Sequence, residues 1–325
     1  MSKPNLLPTR RTAVGALLAG LAAPWARSAT WPDRAVRLII GNSPGSSPDL
    51  IARTVARGMA DDLKQPLVVD NRPGASTTIA LYAISRAVPD GLTIGYVTTA
   101  LVLNRAVGLE TAFDLETELR PILQVGIQPT LLVVSSQSSY RSLADLVADA
   151  RERPGRVSYA STGPGSILAL AAEMLQWDAG IEFLHVPYTL GPQALLDLQA
   201  MRVDAMFNPV NVVVPHLREG RLRALGLTST RRSRVLPDVP TFAEQGYRDM
   251  EVLTWGGLVA PAHTPDDRIE RLNAAANAAL EAPELRNTLL DSGYDVVGGS
   301  PVAFGGFLRQ ELRKWSEVVR RGKSR

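Results

Sequence analysis

Val36-Arg37-Leu38-Ile39-Ile40-Gly41-Asn42-Ser43-Pro44-Gly45-Ser46-Ser47-Pro48-Asp49 runs a β-rich strand into a turn of glycine, serine and proline, and a helical pattern follows through Leu63. The design returns about 120 residues later. Val157-Ser158-Tyr159-Ala160 leads into Ser161-Thr162-Gly163-Pro164-Gly165-Ser166, and a helical pattern then runs from Ile167 to Leu175. Each turn places backbone N–H groups and small hydroxyls at a helix N-terminus, an arrangement that favours an anion without any arginine. Two such turns, in a chain with no catalytic motif that survives inspection, suggest two lobes holding one small anion between them.

Outward from these turns, short apolar strands alternate with amphipathic helices, which indicates an α/β fold with mostly parallel sheet in each lobe. Strands are expected at 36–40, 66–69, 93–98, 131–134, 157–160, 183–186, 205–207, 222–228 and 253–259. Helix starts are marked by capping boxes at Ser142-Leu143-Ala144-Asp145 and Thr264-Pro265-Asp266-Asp267, and by Pro301 at a first helical position after Ser300. Helices at 265–281 and 301–320 carry apolar residues at helical spacing, among them Leu272, Phe304, Leu308 and Trp315. Two crossings between lobes are expected, at 125–130 and at 254–257. Paired Gly256 and Gly257 beside Trp255 suit a hinge, although an internal β-bulge has the same signature.

The first residues read as a leader. Lys3, Arg10 and Arg11 form a basic region, residues 13–23 are an apolar run too short to span a bilayer, and Ala26, Ser28 and Ala29 offer a cleavage site. Arg10-Arg11 leaves the Sec and twin-arginine routes of export both open. Residues 1–29 hold four basic side chains and no acidic ones, so the remainder has 31 basic against 32 acidic and sits near −1 rather than +3. The high pI is partly a property of the leader and gives no reason to expect a nucleic-acid partner. Basic residues at the C-terminus (Arg320, Arg321, Lys323, Arg325) read as a solvated helix end. There are no cysteines, which removes thiol nucleophiles, Fe–S clusters and cysteine-ligated zinc, and a chain this long buries enough surface to do without disulfides.

Gly41-Asn42-Ser43-Pro44-Gly45 matches the G-x-S-x-G nucleophile elbow and follows a strand. A serine hydrolase is nevertheless disfavoured, because the residue after the nucleophile must donate its N–H to the oxyanion hole and Pro44 has none. His185, His216 and His263 are too far apart for a metal motif, and His185 reads as a hydrogen-bonded core or cleft-wall residue. No Walker or G-x-G-x-x-G motif occurs, so no cofactor is expected. Asp49 falls in the first helical turn and most simply complements the dipole. In the turn Asp70-Asn71-Arg72-Pro73-Gly74-Ala75-Ser76-Thr77-Thr78, Arg72 either reaches a carboxylate or ties the loop to its own lobe.

Several stretches resemble one family, the periplasmic substrate-binding receptors of tripartite tricarboxylate transporters (Bug-type receptors). They include Trp31-Pro32-Asp33-Arg34, Asn71-Arg72-Pro73-Gly74-Ala75, Pro89-Asp90-Gly91 and Pro154-Gly155-Arg156-Val157-Ser158-Tyr159. Val186-Pro187-Tyr188, Gly220-Arg221-Leu222-Arg223-Ala224-Leu225, Leu236-Pro237-Asp238-Val239-Pro240-Thr241 and Leu258-Val259-Ala260-Pro261 continue the pattern. The resemblance implies a two-lobed type II periplasmic binding fold of the Venus-flytrap kind that encloses a small carboxylate. It would place 30–127 and 255–325 in lobe 1 and 128–254 in lobe 2.

It also implies ligand contacts from Gly45, Ser46, Ser47 and Asp49 and from Thr98, Thr99 and Ala100 in the first lobe. Ser161, Thr162, Gly163 and Ser166 would face them, with Tyr188 and Asn208 closing the wall. The partners implied are the carboxylate and the membrane permease subunits, the receptor itself being a monomer; a sensor subunit presenting its ligand to a signalling receptor is the alternative. Two departures stand out. The family's first turn is typically Pro-Gly-Gly-Gly-Thr-Asp in character, whereas here Ser46, Ser47 and Pro48 stand in it. Many relatives carry Phe-Asp-Asn where this chain has Phe207-Asn208-Pro209, and loss of that carboxylate favours a plain anion over an amino acid. Ser47 is expected to cap its helix, and the Ser161 hydroxyl to meet a ligand oxygen.

Overall fold

Strand β1 (Val36–Ile40) leads into helix α1 (Ser47–Leu63), β2 (Leu67–Asn71) into α2 (Thr78–Ser85), and β3 (Thr93–Thr98) into α3 (Ala100–Ala106). After the short α4 (Leu115–Glu118), β4 (Leu119–Ser135) runs for 17 residues and is followed by α5 (Leu143–Glu152). The alternation continues through β5 (Ser158–Ser161), α6 (Ile167–Ala179), β6 (Leu184–Pro187), α7 (Gly191–Gln199), β7 (Ala205–Pro209), α8 (Val210–Arg218) and β8 (Leu222–Leu227). It closes with β9 (Leu253–Pro261), α9 (Asp266–Glu281), α10 (Pro283–Asp291), β10 (Asp295–Gly298) and α11 (Pro301–Lys323). The structure is a computed structural model that describes residues 31–108 and 115–323; the expected leader lies outside the described residues. Arg34–Arg325 forms one unit.

The strands follow the order β2-β1-β3-β9-β4-β7-β5-β6, with β8 and β10 also paired to β4. Each lobe holds a parallel trio, β2-β1-β3 in the first and β7-β5-β6 in the second. The long strands β4 and β9 join the trios through antiparallel pairings, so the whole sheet is mixed. Val36, Leu38, Ile39 and Ile40 of β1 are all fully buried, as expected of a parallel strand with helices on both faces.

The crossing expected at 125–130 is part of one continuous strand. β4 starts at Leu119, twelve residues before the expected strand, and passes through 125–130 without a loop. Pro121, Gly126 and Pro129 punctuate this stretch and hide its strand character. Gly256 and Gly257 do not bend the chain. A Cβ on Gly256 would lie 1.8 Å from the Tyr96 hydroxyl, and one on Gly257 would lie 2.1 Å from the Phe304 ring. They admit these rings, and the register shift lies opposite them, on β4 between Gln124 and Gly126, rather than at the glycines themselves. Trp255 is fixed by its own polar handle: its indole N–H and that of Trp315 donate to Glu311 Oε2 at 2.9 and 3.0 Å, tying β9 to α11.

A buried threonine knot ties β4 to the ends of β8 and of the chain before β9. Thr228 Oγ1 accepts from Thr130 N at 3.0 Å and donates to Val252 O at 2.6 Å, and Thr228 N donates to Thr130 O. Among helix starts, the Ser142–Asp145 capping box is present in both directions, and Ser300 Oγ accepts from Ala303 N ahead of α11. Thr264 caps nothing: its hydroxyl donates to Pro261 O at 2.8 Å, and Pro265 occupies the N-cap.

Candidate binding cleft

All five candidate segments sit at the carboxyl ends of parallel strands: 41–49 after β1, 98–100 after β3, 161–166 after β5, 188 after β6 and 208 in the last turn of β7. Open α/β sheets bind ligands at this edge, where helix N-termini and connecting loops converge.

In the first turn, Pro44 and Gly45 occupy the central positions, Gly45 has φ 77°, and Ser46 N donates to Ser43 O at 3.2 Å. This is the type II arrangement that Pro-Gly favours. The Gly45 N–H donates to Asp49 Oδ2 at 2.9 Å, which also accepts from Arg53 Nε at 3.0 Å, while Asp49 Oδ1 accepts from Asn71 Nδ2 at 2.8 Å. Burial alone would raise the Asp49 pKa, but hydrogen bonds from Arg53, Asn71 and Gly45 outweigh it and hold the carboxyl below its ordinary value. Both Asp49 oxygens therefore brace the turn from within the lobe. Ser46, not Ser47, is the N-cap residue, and its hydroxyl donates to Ser43 O at 2.7 Å instead of capping. Ser47 is the first helical residue, so its hydroxyl points away from the N-terminal N–H groups. Arg72 pairs with Asp70 at 3.0 Å, which settles it as a loop tie.

Thr98 lines a cavity of about 10 Å³ with Gly41, Asn42 and Thr77. The Thr99 hydroxyl accepts from Trp255 N at 3.2 Å and pins the start of α3 to β9, with Ala100 following as the first helical residue.

In the second turn Pro164 and Gly165 repeat the geometry, with Gly165 at φ 73° and Ser166 N donating to Gly163 O at 3.2 Å. Ser166 caps α6, accepting from Ala169 N at 3.2 Å. Thr162 is exposed. Ser161 is fully buried; its hydroxyl lies 2.7 Å from His185 Nε2 and accepts from Gly163 N at 3.1 Å. Burial lowers the His185 pKa and favours the neutral ring, which stacks on Tyr159 at 4.6 Å. This Ser–His pair is a turn brace, since a nucleophile with no exposed surface meets no substrate. The Tyr188 hydroxyl is likewise engaged, donating to Asp197 Oδ2 at 2.9 Å.

Ser47 meets two side chains that sequence reading passes over. Ser47 Oγ donates to Asn211 Oδ1 at 2.7 Å, across 164 residues of chain, and accepts from Gln128 Nε2 at 3.0 Å. Asn211 belongs to the first turn of α8 and Gln128 to the crossing strand β4. Their one sequence signal is a polar residue in an otherwise apolar run, which names no partner. Three residues before Asn211, Asn208 is 5 % exposed, and its Nδ2 has no hydrogen-bond partner among the described residues. Gln128 Oε1 is a second buried atom without a partner among the described residues, and both stand out because buried polar atoms are almost always paired.

Residues 51–323 match the model of the tripartite tricarboxylate transporter family receptor. BugT of Bordetella pertussis (strain Tohama I) is 34% identical over 306 residues, covering 93% of each chain. Among solved structures, MatC from Rhodopseudomonas palustris with bound malate is similar with a TM-score of 0.83 at 29% identity, over 89% of this chain and 100% of that one. R. palustris Rpa4515 with adipate gives 0.86 at 30% identity, over 90% and 98%. The fold is thus the two-lobed one of periplasmic binding proteins, reached here from strand order and from likeness alike. By sequence along most of its length and by fold, the chain belongs to the tripartite tricarboxylate transporter receptor family, a family of solute-binding receptors.

Proposed function

We propose that the protein is an exported receptor that captures a small organic acid anion between its lobes and delivers it to the permease of a tripartite tricarboxylate transporter. The leader read at 1–29 directs it to the periplasm, and the hinge lies where β4 and the chain before β9 pass the threonine knot, dividing 30–127 and 255–325 from 128–254. The observation that carries this reading is the pair of Pro-Gly turns at the carboxyl ends of β1 and β5, beside the orphaned Asn208 amide. That arrangement offers N–H and hydroxyl dipoles, while the nearby arginines Arg53 and Arg72 are tied to carboxylates. Fixed dipoles in a closed, water-poor cleft hold an anion more strongly than they would in water. Malate and adipate in two family structures support the ligand class.

A thermal-shift screen of mono-, di- and tricarboxylates and aromatic acids tests the reading. At least one acid should raise the melting temperature; a rise with a neutral sugar or a cation, and with no acid, would overturn it. Pull-down from solubilised membranes with the acid present should recover a permease, and recovery of a sensor kinase in its place would assign the sensing role.

A further inference from the structure

A groove of about 350 Å³ that shares no residue with the cleft turns is lined by the last turns of α6, the last turns of α11 and the chain before β9. Met250 is buried at its base, and Met174, Trp177 and Val318 are half-buried beside it. Asp178, Asp249, Glu317 and Arg321 stand exposed at the rim. The cations here already have carboxylates. Arg321 Nη2 donates to Glu317 Oε1 at 2.9 Å, and Lys314 Nζ lies 3.7 Å from Glu251 Oε2 and 5.5 Å from the centroid of the Trp315 ring. Asp178 and Asp249 take no hydrogen bond or ion pair among the described residues.

A methionine-lined base beside two free carboxylates complements a basic side chain that has an apolar neighbour. Thioether side chains repack around whatever fills them, and rim charges steer an opposite charge in and fix its register. The exposed rim argues against a small molecule, because small-ligand sites bury most of their ligand. A protein segment brings its own cover, and a groove of this size takes an anchor side chain within a wider contact. Met174 and Asp178 follow the Ser166 cap of α6 by 8 and 12 residues, which is about 12–18 Å along a helix axis. An occupant of the groove therefore does not compete with a ligand at the second turn.

We propose that this groove is where the permease holds the receptor, through a periplasmic segment that sets a lysine or arginine, beside an apolar side chain, against Asp178 and Asp249. The proposal rests on the acid-receptor reading above and goes beyond it. In that reading α6 and Asp249 belong to 128–254 and α11 to 255–325, so each lobe supplies a wall. Glu251 and Lys314 bridge the walls, one residue before Val252 enters the threonine knot. Rotation of one lobe against the other changes the width of such a groove, and the anchor thereby distinguishes a closed, loaded receptor from an open one.

Uptake of the best-binding acid by the host strain, with its own receptor gene deleted and a variant supplied in its place, tests this alongside isothermal titration of each purified variant. Asp178→Lys combined with Asp249→Lys should lower uptake about tenfold or more, since it sets like charges against each other. Its acid Kd should stay within about twofold of wild type, because the sites are far apart. Asp178→Asn combined with Asp249→Asn should lower uptake less, by about threefold. An acidic residue exchanged for a basic one in a periplasmic segment of the permease should restore uptake to the lysine variant. Melting temperatures report folding, and the asparagine variant, which keeps side-chain size, decides the matter if the lysine variant is unstable. Wild-type uptake by either variant, once folded and binding the acid, would overturn the proposal, as would a loss of acid binding as large as the loss of uptake. If the wild-type protein binds no acid, or uptake does not depend on it, the acid-receptor reading falls and the proposal with it; receptor-dependent uptake that ignores both substitutions removes only the proposal.

Discussion

The turns at 43–46 and 163–166 have one backbone and two different jobs. Pro44 and Pro164 precede glycines at φ 77° and 73°, and each turn closes with an N–H to carbonyl bond of 3.2 Å. In the first turn almost every polar group is already used. Asp49 takes the Gly45 N–H, Ser46 bonds back to Ser43, and Ser47 reaches across to Asn211. At the position matching Asp49 the second turn has Ala169, and at the position matching Arg53 it has Glu173, whose pKa is raised by burial. The Gly165 N–H consequently has no partner among the described residues. Proline and glycine fix the path of the chain; residues four and eight places further on decide whether its donors remain available.

The largest effect should come from removing the brace that distinguishes the first turn. Asp49→Ala leaves the Gly45 N–H without an acceptor and takes one from each of Arg53 and Asn71, and should lower stability by about 3 kcal/mol in urea unfolding. The brace is also acid-labile. Because the folded-state pKa of Asp49 is depressed, its contribution is complete above the unfolded value near pH 4 and is lost as pH falls through the lower folded value. Wild-type melting temperature should thus drop in that acid range, and Asp49→Asn should reduce the slope there. A slope unchanged by the substitution would show that the brace is not the titrating element.

Ser47→Ala breaks the contacts of Ser47 with Asn211 and Gln128. It leaves Asn211 Oδ1 and Gln128 Nε2 without the hydroxyl and should cost the closed form roughly 1–3 kcal/mol. That loss is measured as weaker acid binding by titration, with the unliganded melting temperature changing less. Smaller still is Ser166→Ala, which removes a side-chain cap from α6 and should cost ~1 kcal/mol. Ser46→Ala should cost less than Ser166→Ala, because Ser46 caps nothing. The reverse order would show that the two serines have exchanged roles.

The parallel trios and their turns were legible because each is local: a β-branched run, a Pro-Gly turn and a helical period adjoin in sequence. The long strand β4 was not, since Pro121, Gly126 and Pro129 interrupt its pattern while β9 and β10 supply the pairing that keeps it extended. The four-residue β10 is short and half-exposed, and its last residue is Gly298 at φ 73°, so neither length nor hydrophobicity announces it. In the cleft, residue types were readable and partners were not. Ser47 was visible as a small hydroxyl near a helix start, yet its function depends on Gln128 and Asn211, 81 and 164 residues away. Ser161 reads in sequence as a ligand donor, and the structure adds that its hydroxyl meets His185 and Gly163. Asn208 was found in sequence through a departure from the family pattern, and burial adds that its amide is unpaired.

A crystal structure with the best-binding acid tests the central claim most directly, because the claim is geometric. The account predicts ligand oxygens between the two turns, accepting from the Gly165 N–H and Asn208 Nδ2, with the Gly45 N–H still held by Asp49. An acid bound away from the carboxyl ends of β1 and β5, or a Gly45 N–H released from Asp49 to the ligand while Gly165 stays unused, would contradict it.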